Sequence, residues 1–346
     1  DAARAAGADL RDRTRLTALV WEGERVVGVR ATAAGGDEQE FRASLVVGAD
    51  GRHSTVARLV QAEEYLGYDS PRAMYWGYWP APRIWRDRSA YPFDMYIGKT
   101  GRDARVIFQT DGDQLLIGSL PPVAAAPAWR SDPEGALKAN LAGDPATARL
   151  VAEGQPDGGV KGTVKERYFF RRGAGPGWAL LGDAGHHKEF IIGDGITEAL
   201  IQARSLSAAI ARGTDEARVA WWRARDVEAL PLFFFGQDEG AVRAPLKLEE
   251  VVFSRVARMP ELLSRMAEVM EHRVSPYEAF PAALILRWTL GATLRGSPRV
   301  LADFLAIGLR GAAVGRELRR RRRLLEGASS GTPPGAAGVP AGAGTR

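Results

Sequence analysis

Apolar and polar residues alternate as in strands over much of the first half of the chain, and beyond residue 213 they recur at helical spacing. A short helix is expected over residues 1–9. Residues 16–21 and 25–31 then read as a strand pair around Glu22-Gly23-Glu24. Residues 41–47 predict a third strand that runs into Gly48-Ala49-Asp50-Gly51-Arg52-His53-Ser54-Thr55-Val56-Ala57-Arg58, the pattern of strand, tight acidic turn and helix. Residues 104–110 and 114–120 flank Asp111-Gly112-Asp113 as a hairpin would, and 160–170 alternates as another strand. Helices are predicted over 134–141 and 145–153. Trp178-Ala179-Leu180-Leu181 has the look of a buried strand stopping at Gly182-Asp183. Gly193-Asp194-Gly195-Ile196-Thr197 then opens a helix in which Ile196, Leu200, Ala203, Leu206 and Ile210 share one apolar face. Later helical runs cover 216–230, 246–258, 260–273, 276–294 and 298–323, with Phe233-Phe234-Phe235 between the first two, where core packing is expected. From 326 to 346 Gly, Ala, Pro and Ser dominate without period, which predicts a disordered tail.

The region 178–210 holds the most informative chemistry. An acid at the carboxyl end of a strand is placed to meet a ligand. Glycines at a helix start let the backbone approach that ligand, and the unpaired amides with the positive end of the helix dipole favour an anion or an electron-rich carbonyl. A carboxylate for sugar hydroxyls and a helix mouth for developing negative charge make a two-ended grip on a long cofactor, which suggests a flavin.

Gly182-Asp183-Ala184-Gly185-His186 followed by Gly195-Ile196-Thr197 resembles the GD motif of the FAD-dependent aromatic-hydroxylase-like flavoproteins, which include monooxygenases, geranylgeranyl-reductase-like enzymes and halogenases. Asp50, Gly51, Ser54 and Arg58 resemble the DG motif of the same superfamily. The resemblance implies that Asp183 holds the ribityl hydroxyls, that Gly195, Ile196 and Thr197 face the flavin N1 and C2 carbonyl, with Gly182, Ala184 and Gly193 as further cofactor-binding positions, and that Asp50, Gly51 and Arg58 support the ribose and pyrophosphate. Leu16 becomes a candidate adenine contact. The plainer alternative for Asp50 is that it only caps its helix. Two departures stand out: Phe190 falls where the family has proline, and Ile192 where a glycine is common. No G-x-G-x-x-G turn occurs in the chain, so the phosphate-seating strand-turn-helix of the family is expected upstream of Asp1, and the chain as written is expected to bind FAD poorly.

The resemblance implies a mixed α/β fold: an incomplete Rossmann-like FAD-binding domain (1–62, resumed at 173–212), interrupted by an antiparallel-sheet substrate domain (63–172) and followed by C-terminal helices (213–325). The aromatics Tyr75-Trp76-Gly77-Tyr78-Trp79 either line a pocket for a hydrophobic or aromatic small molecule or fill that sheet's own core. The implied activity is that of an NAD(P)H-using monooxygenase consuming molecular oxygen through a flavin C4a-hydroperoxide. The alternatives are saturation of carbon-carbon double bonds and a non-catalytic binding remnant. Trp76-Gly77-Tyr78-Trp79-Pro80 does not reproduce the halogenase Trp-x-Trp-x-Ile-Pro signature.

Composition narrows the rest. The absence of cysteine excludes disulfides and thiolate chemistry and fits a reducing cytoplasm, and with only four histidines no metal site is expected. No window approaches the ~18 apolar residues of a membrane span. The net charge of +5 is concentrated at Arg316 and Arg319 to Arg323, which reads as a solvated helix end, with no nucleic acid expected. His186-His187-Lys188 either places charge near the flavin or braces the loop through His186 and leaves His187 and Lys188 solvated.

Overall fold

The computed structural model describes residues 2–91, 95–152 and 154–327. The chain opens with a single helical turn, α1 (Ala2–Ala5), shorter than the helix expected over 1–9 because Gly7 takes a left-handed φ of 89° and ends it. β1 (Thr14–Glu22), β2 (Arg25–Ala33) and β3 (Glu38–Arg42) form an antiparallel sheet in that order. The single strand predicted over 41–47 is in fact two. Its first part stays in β3, paired with β2, whereas β4 (Val46–Gly48) leaves that sheet for a parallel partner. The helix α2 (Thr55–Leu59) follows.

β5 (Glu64–Asp69) leads to β6 (Met74–Pro80), which with β7 (Met95–Thr100), β8 (Asp103–Gln109) and β9 (Gln114–Leu120) supplies four strands of a five-stranded antiparallel sheet. β8 and β9 form the hairpin the sequence predicts, from Ala104 opposite Leu120 to Gln109 opposite Leu115. After α3 (Ala126–Trp129), α4 (Pro133–Ala142) and α5 (Pro145–Val151), β10 (Asp157–Thr163) closes the order β10-β6-β9-β8-β7. The strand predicted over 160–170 is divided as well: β11 (Arg167–Arg171) belongs to a separate sheet with β5, and the break at 164–166 turns Glu166 inward.

The pleat of β6 assigns the aromatics to two faces. Tyr75 and Trp79 are buried among Trp129, Leu137, Leu141 and Leu150, with Tyr75 stacked on Trp129 at 4.6 Å, so these rings fill the sheet's own core. Met74, Trp76 and Tyr78 are half-buried on the opposite face, against a cluster that includes Ile191 and Ile192.

The chain returns through β12 (Ala174–Gly175), β13 (Trp178–Leu180) and β14 (His186–His187). Between β12 and β13, Gly177 has a φ of 74°, and a Cβ there would stand 2.0 Å from the Val26 carbonyl oxygen, so only glycine lets this turn close against β2. α6 (Gly195–Ala211) buries Glu198, Gln202, Leu206 and Ala209. The apolar face predicted for it is overturned: Ile196 is 82% exposed, Leu200 68% and Ile210 39%, and Ala203 is exposed too. Gln202 accepts from Gly182 N–H and Glu198 pairs with His186 Nε2, and these contacts hold the polar positions inward.

α7 (Asp215–Gly240) runs straight through Pro231, where the sequence predicted an end at 230. Proline inside a helix costs about 3 kcal/mol. Leu230, Leu232, Phe233 and Phe234 are all buried there, and Phe233 meets Phe170 edge-on at 4.9 Å. Burial of each contributes roughly 1.5–3 kcal/mol, which outweighs the break. α8 (Lys247–Val256), α9 (Pro260–Met270), α10 (Ala282–Leu294) and α11 (Arg299–Gly327) complete the fold. α10 begins only after Pro281, later than the 276 expected. Glu326 and Gly327 end α11, and the rest of the predicted disordered tail, 328–346, lies outside the described residues.

Candidate functional site

β4 and β13 lie side by side and parallel, with Val46 opposite Trp178 and Gly48 opposite Leu180, and Leu181 N–H donates to the Gly48 carbonyl at 2.8 Å. Asp50 and Asp183 therefore leave the same, carboxyl end of one strand pair. That edge is where ligands gather in parallel sheets.

The two turns use their acids differently. The Asp50 carboxylate accepts from the Ser54 hydroxyl at 2.5 Å, from Thr55 N–H at 2.6 Å and from Val56 N–H at 3.2 Å, while Ser54 Oγ accepts from Ala57 N–H. The first turn of α2 is thus satisfied by its own side chains. Gly51, with a φ of 76°, makes the tight turn, and Arg58 is exposed on α2.

At the second turn Gly182 has a φ of 57° and donates its N–H to Gln202 Oε1 at 2.8 Å, and a Cβ on it would reach to 3.3 Å from Ala199. The turn carrying Asp183 and Ala184 is in this way pressed against the side of α6. The Asp183 side chain remains 41% exposed, and His187 Nδ1 lies 3.2 Å from it. On its other side His187 Nε2 is 3.5 Å from Glu166, which pairs with Arg52 at 3.1 Å. A chain of charge therefore runs from the first turn to the second. Burial pulls the His187 pKa down, but the Asp183 and Glu166 carboxylates beside it more than offset this and leave it above the ordinary value. His187 and Lys188 are both buried, contrary to the solvated alternative in the sequence reading, because carboxylates face each of them. Arg171 stacks on Phe169 at 3.8 Å and donates to the carbonyls of Ala184 and Arg52, one in each turn.

The mouth of α6 is open. Gly193 is left-handed at φ 73°, Asp194 makes no side-chain capping bond, and Gly195, Ile196 and Thr197 are exposed with empty space where Cβ atoms of Gly193 and Gly195 would stand. Behind this mouth Lys188 Nζ lies 2.6 Å from Glu198 and 3.3 Å from Asp194. His186 Nε2 is 2.7 Å from Glu198, and its ring stacks on Phe170, so His186 braces the loop. His272, delivered from beyond α9 with a φ of 59°, hydrogen-bonds Asp194. Asp194, Glu198 and His272 come within 4.8 Å of one another, as metal ligands would, and the Lys188 ammonium pairs with both carboxylates. Burial works against charge on Glu198, yet His186 and Lys188 hold its carboxyl well below the usual range.

The structure thus brings Asp50, Gly51, Gly182, Asp183 and Ala184 to one sheet edge, with Gly193, Gly195, Ile196 and Thr197 held to it through the Gly182–Gln202 bond. Leu16 is partly buried against the apolar cluster that holds Leu19, Val26, Trp178, Leu180 and Ala184. Sequence reading missed Arg52, Glu166, Arg171, Glu198 and His272, whose partners are distant in the chain. A buried Arg225–Asp226 pair also escaped it; Arg225 Nη1 donates to the Leu180 carbonyl at 3.0 Å and props the second turn from behind. A cavity of about 190 Å³ opens beside the first turn, lined by Arg52, His53, Lys165, Arg167 and Arg171 with Glu166 and Phe169.

Residues 1–77 match the family model described as FAD binding domain. No curated protein matches in sequence. Among solved structures, a flavoprotein/dehydrogenase from Cytophaga hutchinsonii superposes with a TM-score of 0.66 at 13% identity, over 84% of this chain and 72% of that one. The flavin-dependent brominase Bmp2 gives 0.58 at 17% identity, over 82% and 70%. OxyS, the anhydrotetracycline hydroxylase from Streptomyces rimosus, gives 0.53 at 19% identity, over 78% and 54%. Residues 1–77 thus resemble an FAD binding domain in sequence, and the chain shares its mixed α/β fold with these solved flavin-dependent proteins.

Proposed function

We propose that the chain belongs to an FAD-dependent oxidoreductase, a monooxygenase that draws electrons from NAD(P)H and hydroxylates a hydrophobic or aromatic small molecule with molecular oxygen. The reading rests above all on two acidic turns leaving the same end of one parallel strand pair, of which only the second keeps its carboxylate and its helix mouth open. A half-exposed acceptor beside unoccupied backbone donors is the donor set that a polyol with an electron-rich ring asks for.

In this reading Asp183 accepts from the ribityl hydroxyls, and the amides of Gly195, Ile196 and Thr197 receive the electron-rich edge of the ring. Gly182, Ala184 and Gly193 shape that approach. Asp50 and Gly51 form the neighbouring turn, and Arg58 offers charge toward the pyrophosphate. Bound there, the flavin would supply the redox chemistry with the nicotinamide and with oxygen. The chain's own residues orient and exclude water. Met74, Trp76 and Tyr78 with Ile191 and Ile192 build an apolar wall between the sheet and the second turn, suited to an aromatic substrate. The arginine-lined cavity beside the first turn suits the phosphates of NAD(P)H. His187 Nδ1 stands 3.2 Å from the Asp183 carboxylate and fixes its position from one side.

Titration of the chain with FAD, followed by flavin fluorescence, tests the reading. Weak but saturable binding is expected, weakened roughly ten-fold or more by Asp183→Asn. No saturable binding, or no effect of the substitution, would overturn it. Oxygen consumption coupled to NAD(P)H oxidation separates hydroxylation from double-bond reduction and from a binding-only role.

A further inference from the structure

The helices α10 and α11, packed together far along the chain from the two acidic turns, carry a surface that the flavin reading leaves unused. α11 buries Val300, Val314 and Leu325 and turns its opposite side outward. At about 100° per residue, Leu301, Leu305, Leu309, Arg316, Arg319 and Arg323 all fall within an arc of about 80°. The first half of that stripe is apolar, with Leu305 59% and Leu309 75% exposed, and its second half is cationic. α10 repeats the apolar part: Leu286, Leu290 and Leu294 recur every fourth residue, opposite the buried Trp288 and Ala292, and Leu294 is 88% exposed. Among the described residues Arg316, Arg319 and Arg323 form no ion pair, while Arg320 and Arg321 share Glu317.

Exposed leucines in this number call for a partner that removes them from water. Arginines continuing the same helix face call for one that also carries negative charge. We propose that this face docks on a membrane surface with anionic headgroups, the leucines entering the boundary between headgroups and acyl chains and the arginines pairing with phosphate and carboxylate groups at the same level. A nucleic-acid duplex would satisfy the arginines but offers nothing to Leu294, Leu305 or Leu309. The helices lie on the bilayer in this arrangement, since no described helix is long and apolar enough to cross one.

Vesicle flotation with the full chain provides the test. Vesicles with about 30% phosphatidylserine should carry the protein upward roughly ten-fold better than neutral phosphatidylcholine vesicles, and the advantage should shrink as salt rises. Leu305→Ser with Leu309→Ser, and separately Arg316→Gln with Arg319→Gln and Arg323→Gln, should each cut flotation roughly ten-fold while leaving circular dichroism unchanged. Because the chain holds no cysteine, Leu309→Cys can carry an environment-sensitive dye, whose emission should shift to the blue on anionic vesicles; the same dye on Thr17→Cys should not respond. The proposal is overturned by equal binding to both kinds of vesicle, by full binding of either variant, by a silent dye at 309, or by a lipid-free dimer or a duplex-DNA complex that forms while vesicle binding is absent. Flavin affinity is a separate measurement, so this surface can fail while the flavin reading stands, and the reverse.

Discussion

The first and second acidic turns begin alike, each with an aspartate just past the end of one of two paired parallel strands and each leading toward a helix, yet they end in opposite states. Asp50 turns back on its own helix and saturates it through Ser54, Thr55 and Val56, so the first turn is closed. Asp183 is kept from doing so: a loop separates it from α6, His187 holds it from one side, and Asp194 at the helix mouth is drawn away by Lys188 and His272. A helix start becomes a ligand site when the residues able to cap it are engaged elsewhere. The same motif chemistry is spent on its own helix in one place and left open in the other.

That contrast can be broken in order of effect. Arg225→Met removes the support behind the second turn and leaves Asp226 buried without its counter-charge, held by hydrogen bonds from Trp222 and Tyr65 alone, so stability should fall by about 3–5 kcal/mol in urea unfolding. A loss under about 1 kcal/mol would mean the pair carries no weight there.

Next comes Glu189, in the loop between the two halves of the site. Burial pushes its carboxyl up to about 7, with Tyr168 donating to one oxygen and the other left without a partner. A raised folded pKa means that stability is fully present below the unfolded value and is lost as pH climbs through about 7. Glu189→Gln should therefore be more stable than the parent by about 1–3 kcal/mol at alkaline pH and should converge with it in acid. The His187 pKa is raised as well, so its contribution also fades as pH rises, and because the His187 charge acts on the Glu189 carboxyl the measured difference includes that linkage. Parallel melting curves at all pH values would refute the assignment.

The sharpest comparison pairs the two aspartates. Asp50→Ala should cost about 1 kcal/mol of stability through the lost cap and leave FAD affinity nearly unchanged. Asp183→Ala should do the reverse, with little change in melting and a loss of FAD affinity of roughly ten-fold or more. If both variants behave alike, the distinction between closed and open turns is wrong. Smallest is Gly193→Ala. Nothing stands within 4 Å of the added methyl, so its cost is the left-handed backbone alone, about 1 kcal/mol. Unchanged thermal unfolding would show that the α6 mouth relaxes freely.

Much of this could be read from residue order. The hairpin around Gly112, the alternation in β6 and the strand-acid-glycine pattern at both turns are local, and period-two and turn chemistry report them directly. The divided strands at 41–47 and 160–170 were invisible because alternation does not say which sheet a residue joins; β4, β10 and β11 pair with β13, β6 and β5, all far along the chain. Pro231 deceived for a related reason, since the local rule yields to the burial of neighbouring phenylalanines. The face of α6 was misjudged because hydrophobic spacing takes apolar positions to point inward, whereas Glu198 and Gln202 are drawn in by His186 and Gly182.

By itself the sequence determined the two turns, the helix that opens with glycine and the mixed strand-then-helix order, because glycine conformation, hydrophobic period and carboxylate chemistry act over a few neighbouring residues. Tertiary structure alone decided that β4 and β13 stand side by side, that Arg52, Glu166 and His187 link the turns, and that His272 reaches Asp194. Those are pairings between residues far apart in the chain, and buried charges settle them by finding counter-charges wherever the fold brings one within reach.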